Sequence, residues 1–329
     1  MIFEFTATPQ FDFITDFAKK FKIPVQNNSL VFPHNKGQGY IRKVAFSDDF
    51  RLLIHRYKLK EDFTIIRNQS VVSSDLISIF FYNNEQPLDL VYNKESPVKF
   101  SRKNESAIQV TTNQLNSTIR FPAHAEIYYM VVGITSGKLS SLLNTKKRNH
   151  TIQAITSGNG SVLYFESMNV ETEQLLRQIS AINMNDALSS FAVQIKVEEM
   201  LYLLFDRLLK RENKSQRSVN NTDAEKLMAL RSLILSDLSI PPVLSKLASL
   251  TGMSETKMKQ LFKQTFGDSI YSFYQKLRME EAAFLLKQGA YSVSEVGYEL
   301  GFTNLSHFSR LFEKQYGVTP KRFVTGRAR

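Results

Sequence analysis

Two domains of different class are predicted by this 329-residue sequence: a mainly-β domain, then an all-α one. Three observations predict them. Residues 1 to about 135 hold short runs rich in β-branched and aromatic residues, separated by Asn, Asp, Gly and Pro. From about Glu171 the apolar period becomes helical. Near the C-terminus one string occurs twice: Leu261-Phe262-Lys263-Gln264-Thr265-Phe266-Gly267 and Leu311-Phe312-Glu313-Lys314-Gln315-Tyr316-Gly317, at an offset of 50 residues.

In the first part, Phe11 to Phe21 reads as a short amphipathic helix. Gly39 to Phe46, Phe50 to Arg67, Leu76 to Tyr82, Leu88 to Tyr92, Ala107 to Thr112 and Thr118 to Ile134 read as strands. Many short strands with polar turns predict a sandwich or small barrel, which a jelly-roll or cupin-like domain over residues 1–170 would satisfy. His34, His55, His124 and His150 stand alone, without the spacing of a metal site, so no metal or cofactor is expected. Gly37-Gln38-Gly39 and Ser157 to Ser161 read as turns, and no serine sits in a nucleophile motif.

Residues 171–211 read as helices. Leu175, Leu176, Ile179 and Ile182 form one apolar face. Ala192, Ile195, Val197, Met200, Leu201, Leu204, Phe205, Leu208 and Leu209 form a broader one. So apolar a helix must be covered, either by the β domain or also by a second copy of the chain. Residues 212–221 are polar and aperiodic and read as a linker. A helix from Asp223 to Leu238, capped by Thr222 or Asn221, opens the last domain, and Pro241-Pro242 opens the next helix.

The two copies of the string each end a two-helix unit, at about 243–267 and 293–317. Gly252 and Gly301 mark the turns, and Ser254 and Asn304 are placed to cap the second helices. Ala248 and Gly297 each precede the turn glycine by four residues, where a small side chain lets two helices cross closely. Phe308, Leu311, Phe312 and Tyr316 share one face of the last of these helices, and Gly317 then Thr319-Pro320 end it. Such units are helix-turn-helix motifs. Residues 270–287 between them read as one helix of roughly 27 Å. A rod of that length would hold two recognition helices close to one DNA turn apart, roughly 34 Å.

Residues from about 223 to 329 resemble the DNA-binding domain of the AraC/XylS family of bacterial transcription regulators. The resemblance rests on Leu261-Phe262 to Gly267, Arg278-Met279-Glu280-Glu281-Ala282, Gly301-Phe302, Ser306-His307-Phe308-Ser309-Arg310-Leu311-Phe312 and Gly317-Val318-Thr319-Pro320. Gly297 departs from the family's usual Ala, at a cost of about 1 kcal/mol of helix propensity. Leu305 departs from a commonly polar position and bears on the local base contact. The resemblance implies a β-rich sensor at residues 1–170, a helical and dimerising segment at 171–211, and an all-α DNA-binding domain at 222–329.

Carried over residue by residue, the base-facing set is Thr256, Lys259, Gln260, Leu305, Ser306, Ser309 and Arg310. Lys263, Lys314, Lys321 and Arg322 are assigned to phosphates. Lysine and glutamine can donate to guanine and adenine edges, and Arg is the commonest reader of guanine O6 and N7. On the first recognition helix Glu255, Thr256, Lys257, Lys259, Gln260, Lys263 and Gln264 are expected to point outward.

Composition is consistent with this. The net charge is +11 with pI ≈ 9.5, which suits a polyanion. From Thr222 onward 15 basic residues face 10 acidic ones, a surplus of five, so specific contacts must do more than bulk charge. The absence of Cys excludes disulfides, thiolate metal sites and a cysteine nucleophile, and fits a reducing cytoplasm. The N-terminal stretch contains acids and no long apolar block, so it is not a secretory signal. No run approaches the roughly 20 apolar residues of a membrane span. The function expected is a cytoplasmic regulator, not an enzyme, that reads double-stranded promoter DNA with two recognition helices in successive major grooves. RNA polymerase, a small-molecule effector and a second copy of the chain are candidate partners. The rival readings are a regulator without effector and a DNA-binding protein whose barrel is an enzyme.

Overall fold

The computed structural model describes residues 1–8, 11–70, 75–85, 88–91, 98–100, 107–144, 149–158, 160–211 and 216–326. Of the predicted features, Tyr92, Asn159 and linker residues 212–215 lie outside the described residues. Strand β1 (Ile2–Thr6) and helix α1 (Phe13–Phe21) come first. Strands β2 (Val25–Gln26), β3 (Ser29–Val31), β4 (Gly37–Ser47), β5 (Phe50–Leu59), β6 (Phe63–Asn68), β7 (Leu76–Tyr82), β8 (Leu88–Val91), β9 (Val98–Phe100), β10 (Ile108–Thr112), β11 (Ser117–Phe121) and β12 (Glu126–Thr135) follow. Next come α2 (Ser136–Leu143), α3 (His150–Thr156), β13 (Leu163–Glu166), α4 (Val170–Ala181) and α5 (Ser189–Leu209). The C-terminal helices are α6 (Asn221–Ser236), α7 (Leu244–Thr251), α8 (Glu255–Phe266), α9 (Ile270–Gln288), α10 (Val293–Glu299), α11 (Leu305–Tyr316) and α12 (Pro320–Thr325).

The chain divides into two compact units. The first is Met1–Glu225 with Gln264–Gly267, and the second is Lys226–Lys263 with Asp268–Arg329. The first is mainly β, as predicted. Its small sheet runs β1-β6-β11-β8-β9 and its large sheet β13-β10-β7-β12-β5-β4-β3-β2. Alternation along the strands gives the large sheet two apolar faces. Leu52, Ile54, Ile79, Met130 and Val132 pack against α4 and α5, with Leu176, Val197, Met200, Leu204 and Phe205. The opposite face turns Tyr57 and Tyr129 toward Phe63 and Phe121 of the small sheet, with ring centroids about 6 Å apart.

Several elements differ from expectation. The run from Phe50 to Arg67 is two strands, β5 and β6, broken at residues 60–62, and the run from Thr118 to Ile134 is two, β11 and β12, broken at residues 122–125. Gly37-Gln38-Gly39 is no turn; it opens β4, pressed against the backbone of β5. On α5, Ile195 (50% exposed) and Leu209 (36%) lie outside the apolar face that the β domain covers. The polar linker, where described, is hydrogen-bonded to the β domain rather than free. Gln216 accepts from Tyr164 and donates to Thr151, and the Val219 amide donates to the Ser161 carbonyl at 3.0 Å. The cap of α6 is Asn220, whose Oδ1 accepts from the Asp223 amide at 2.7 Å, so neither Thr222 nor Asn221 fills that role. Pro241-Pro242 precede α7 instead of starting it, consistent with the bias of a residue before proline away from helix.

Between the two sheets lies a cavity of about 100 Å3, lined by Phe5, Phe13, Leu53, Ile119 and Phe80 among others. Asp12, Lys43, Arg51, His55 and Arg67 bring charge or polarity to its wall. His55 is buried and stacked on Tyr129 at 4.2 Å, and its Nδ1 has no hydrogen-bond partner among the described residues. Burial pulls its pKa down to about 3. Above the unfolded value near 6.5, His55 is neutral in both states and pH has no effect through it. Below that value the unfolded chain binds a proton that the folded chain refuses, so stability falls as pH falls, until the folded site protonates near pH 3. The slope should be about 1.4 kcal/mol per pH unit between pH 6 and 4. Urea unfolding of the wild type and His55→Phe across that range checks this: the wild type should lose stability more steeply by about that amount, and equal slopes would contradict it.

Candidate nucleic-acid interface

The second unit repeats one device. Helix α7 ends at Gly252 (φ 58°), and α8 starts after Ser254, whose Oγ accepts from the Lys257 amide at 3.4 Å. Helix α10 begins with a full capping box, Ser292 with Glu295, and ends at Leu300-Gly301 (Gly301 φ 74°). Helix α11 starts after Asn304, whose Oδ1 accepts from the His307 amide at 3.0 Å. The expected caps of both recognition helices are therefore present. Phe308 and Phe312 are fully buried with Val296, Leu300, Phe302 and Leu286, and Leu311 and Tyr316 are packed against that cluster. In the other copy Met258, Leu261 and Phe262 are fully buried, and Phe262 meets Phe273 of α9 edge-on at 5.2 Å.

Helix α9 ties the second motif to its rod. Arg278 is 3% exposed. Its Nε donates to the Leu300 carbonyl at 3.1 Å, its Nη2 donates to the same oxygen, and the guanidinium lies 3.7 Å from the Phe302 ring centre. That carbonyl is one of the orphan acceptors at a helix C-terminus. Desolvation lowers the Arg278 pKa, and the tyrosines Tyr274 and Tyr271 act against it. Reading α9 only as a spacer missed this: a charged residue on a helix turned inward has no periodicity signal.

The predicted contact residues fall into three groups. Thr256, Lys259, Ser306 and Arg310 are exposed, as are Lys263, Lys314, Lys321 and Arg322. Gln260 and Ser309 are half-buried, and Lys259 has Glu255 as an ion-pair partner at 3.4 Å. Leu305 is half-buried because it leans on the buried Gly297: a Cβ there would lie 2.5 Å from its Cδ2. Glu255 and Lys257, expected to be outward, are half-buried too. Gln264 is corrected outright. It is buried, with its carboxamide exchanging hydrogen bonds with the Arg217 backbone at 3.0 and 2.7 Å, within the first unit. Among the described residues no group of three or more His, Cys, Asp and Glu could hold a metal ion. Among them no helix is long and apolar enough to cross a membrane.

A family model described as a helix-turn-helix domain matches residues 247–326. Residues 247–326 form an AraC-type helix-turn-helix domain. The chain is similar to the DNA-binding dual transcriptional regulator Rns of Escherichia coli, at 34% identity over 96 residues, covering 29% of this chain and 36% of Rns. It is also similar to the transcriptional activator RhaR of Escherichia coli, at 30% identity over 129 residues, 38% of this chain and 46% of RhaR. The matches thus span less than half the length of these relatives. Among solved structures, an AraC-type transcriptional regulator from Chromobacterium violaceum aligns over 33% of this chain and 98% of its own, with 29% identity and a TM-score of 0.31.

Proposed function

We propose that this protein is a transcription regulator that reads promoter DNA through α8 and α11, placed in successive major grooves by α9. The observation that carries the reading is the repeated, capped helix pair, whose second helices present Thr256, Lys259, Ser306 and Arg310 to solvent. Helix α9 has 19 residues, about 28 Å at 1.5 Å per residue. That length fits two helices lying near one turn of the duplex apart. Thr256, Lys259, Gln260, Leu305, Ser306, Ser309 and Arg310 are assigned to bases, and Lys263, Lys314, Lys321 and Arg322 to phosphates. No catalytic role is assigned, since the functions named for the relatives are regulatory.

The first unit is assigned a regulatory part in the same reading. Its cavity would hold a small-molecule effector, read out as a rise in melting temperature. Phe191, Ile195 and Tyr202 leave an exposed apolar row along α5, at spacings of four and seven. A second copy of the chain would cover that row. Sedimentation equilibrium should then give a dimer for the wild type and a monomer for Ile195→Asp; a wild-type monomer at micromolar concentration would remove this part of the reading.

Arg310 and Lys314 separate base reading from backbone binding. Arg310 is exposed beside Ser306, opposite Phe308 and Phe312, so its fork is free to reach a base edge. Lys314 lies one turn further along, where a helix entering by its N-terminus meets the backbone. Arg310→Ala should cost about 1–3 kcal/mol on the preferred site and flatten discrimination at one or two base pairs. Lys314→Ala should weaken all sequences alike and lower the salt slope by about one unit. Arg310→Lys should not restore the preference, because the bidentate fork is lost. Binding to a randomised operator library at two salt concentrations measures all three. Equal weakening of every sequence by Arg310→Ala would make Arg310 a phosphate clamp.

A further inference from the structure

Two residues of the second motif fit one another in a way that the first motif does not share. Gly297 is buried on α10, and Leu305 is the first residue of α11. A Cβ on Gly297 would lie 2.5 Å from Leu305 Cδ2, closer than any real contact, and 3.3 Å from Phe308 Cδ1. One methyl group of Leu305 therefore occupies the space that a side chain at residue 297 would fill. In the first motif the equivalent positions are Ala248, which has its Cβ, and Glu255, which pairs with Lys259 at 3.4 Å. Where the methyl of alanine is present the helix begins with a charged residue; where it is missing the helix begins with a leucine seated in the gap.

The seat holds only part of the side chain. Leu305 remains half-exposed, beside exposed Ser306 and one turn from Ser309 and Arg310. The N-terminal residues of a recognition helix are those that meet base edges. Leucine has no donor or acceptor to offer there. The apolar group that a base edge presents in the major groove is the C5-methyl of thymine. We propose that Leu305, held in place by Gly297, is a specificity-determining residue that reads a thymine methyl group in the half-site bound by α11. This rests on the DNA-reading function proposed above. Gly297 acts through Leu305 and is a positioning residue: alanine there would turn Leu305 away from its seat. The far end of a leucine side chain can move, so the fold would survive.

The test uses the full chain and the operator that it selects from a randomised library. Each thymine of that operator is replaced in turn by deoxyuridine, which removes only the methyl group. The wild type should lose about fourfold in affinity at one thymine, the worth of one buried methyl. Leu305→Ala should bind the unmodified operator about fourfold more weakly and be indifferent to deoxyuridine at that position. Gly297→Ala should also lose the sensitivity while keeping its melting temperature and its binding to the other half-site. Arg310→Ala should keep it. If no single thymine matters to the wild type, or if Leu305→Ala stays fully sensitive, Leu305 only packs in the turn and the proposal is wrong. Failure to select any sequence would instead remove the DNA-reading function itself.

Discussion

The second unit depends on how closely its short helices approach their turns. Gly301 sits at φ 74°, and a Cβ on it would lie 2.0 Å from the Ser239 carbonyl oxygen. Both the conformation and the space demand glycine. With that turn fixed, Phe302 drops into the core beside Phe308, and the Leu300 carbonyl is left for Arg278. The direction of α11 then follows from Asn304 capping its first turn and from Phe308 and Phe312 being buried. Polar residues opposite that buried edge have nowhere to go but outward. The exposed face is thus a by-product of packing: a helix anchored by aromatic residues on one face leaves the other to solvent.

The first unit solves a different problem. Its large sheet buries both faces, one under α4 and α5 and one under the small sheet. The helical face is filled mostly by Leu, Ile, Val and Met, with Phe50, Phe81, Tyr164 and Phe205 among them. The face between the sheets carries aromatic rings together with His55, Arg51 and Arg67, and keeps an unfilled space. Holding His55 neutral by burial costs stability at acid pH, as a wholly apolar wall would not.

The tandem motifs were legible because punctuation and periodicity coincide there. Glycine after each first helix, a capping residue before each second and a 50-residue offset leave little freedom. The strands were legible through composition and alternation, which is why β4, β7, β8 and β10 follow the expected runs, whereas the runs at 50–67 and 118–134 each divide into two strands. Helices α2 and α3 and strand β13 gave too short a pattern to be read. Gln264 departs from its expected outward position because helical periodicity describes one helix and not the Arg217 backbone that covers it. Leu305 looked like a base-facing position at odds with its polarity; only the missing Cβ of Gly297 explains where its side chain rests. Arg278 belongs to the stretch that carries the family resemblance, but its buried role depends on a carbonyl 22 residues away.

The central claim is that two recognition helices, joined by one rigid rod, engage one face of the duplex. Hydroxyl-radical footprinting of the full chain on a selected operator measures this directly. Two protected patches on the same face, about one helical turn apart, are predicted. A single patch, or two patches on opposite faces, would contradict the account.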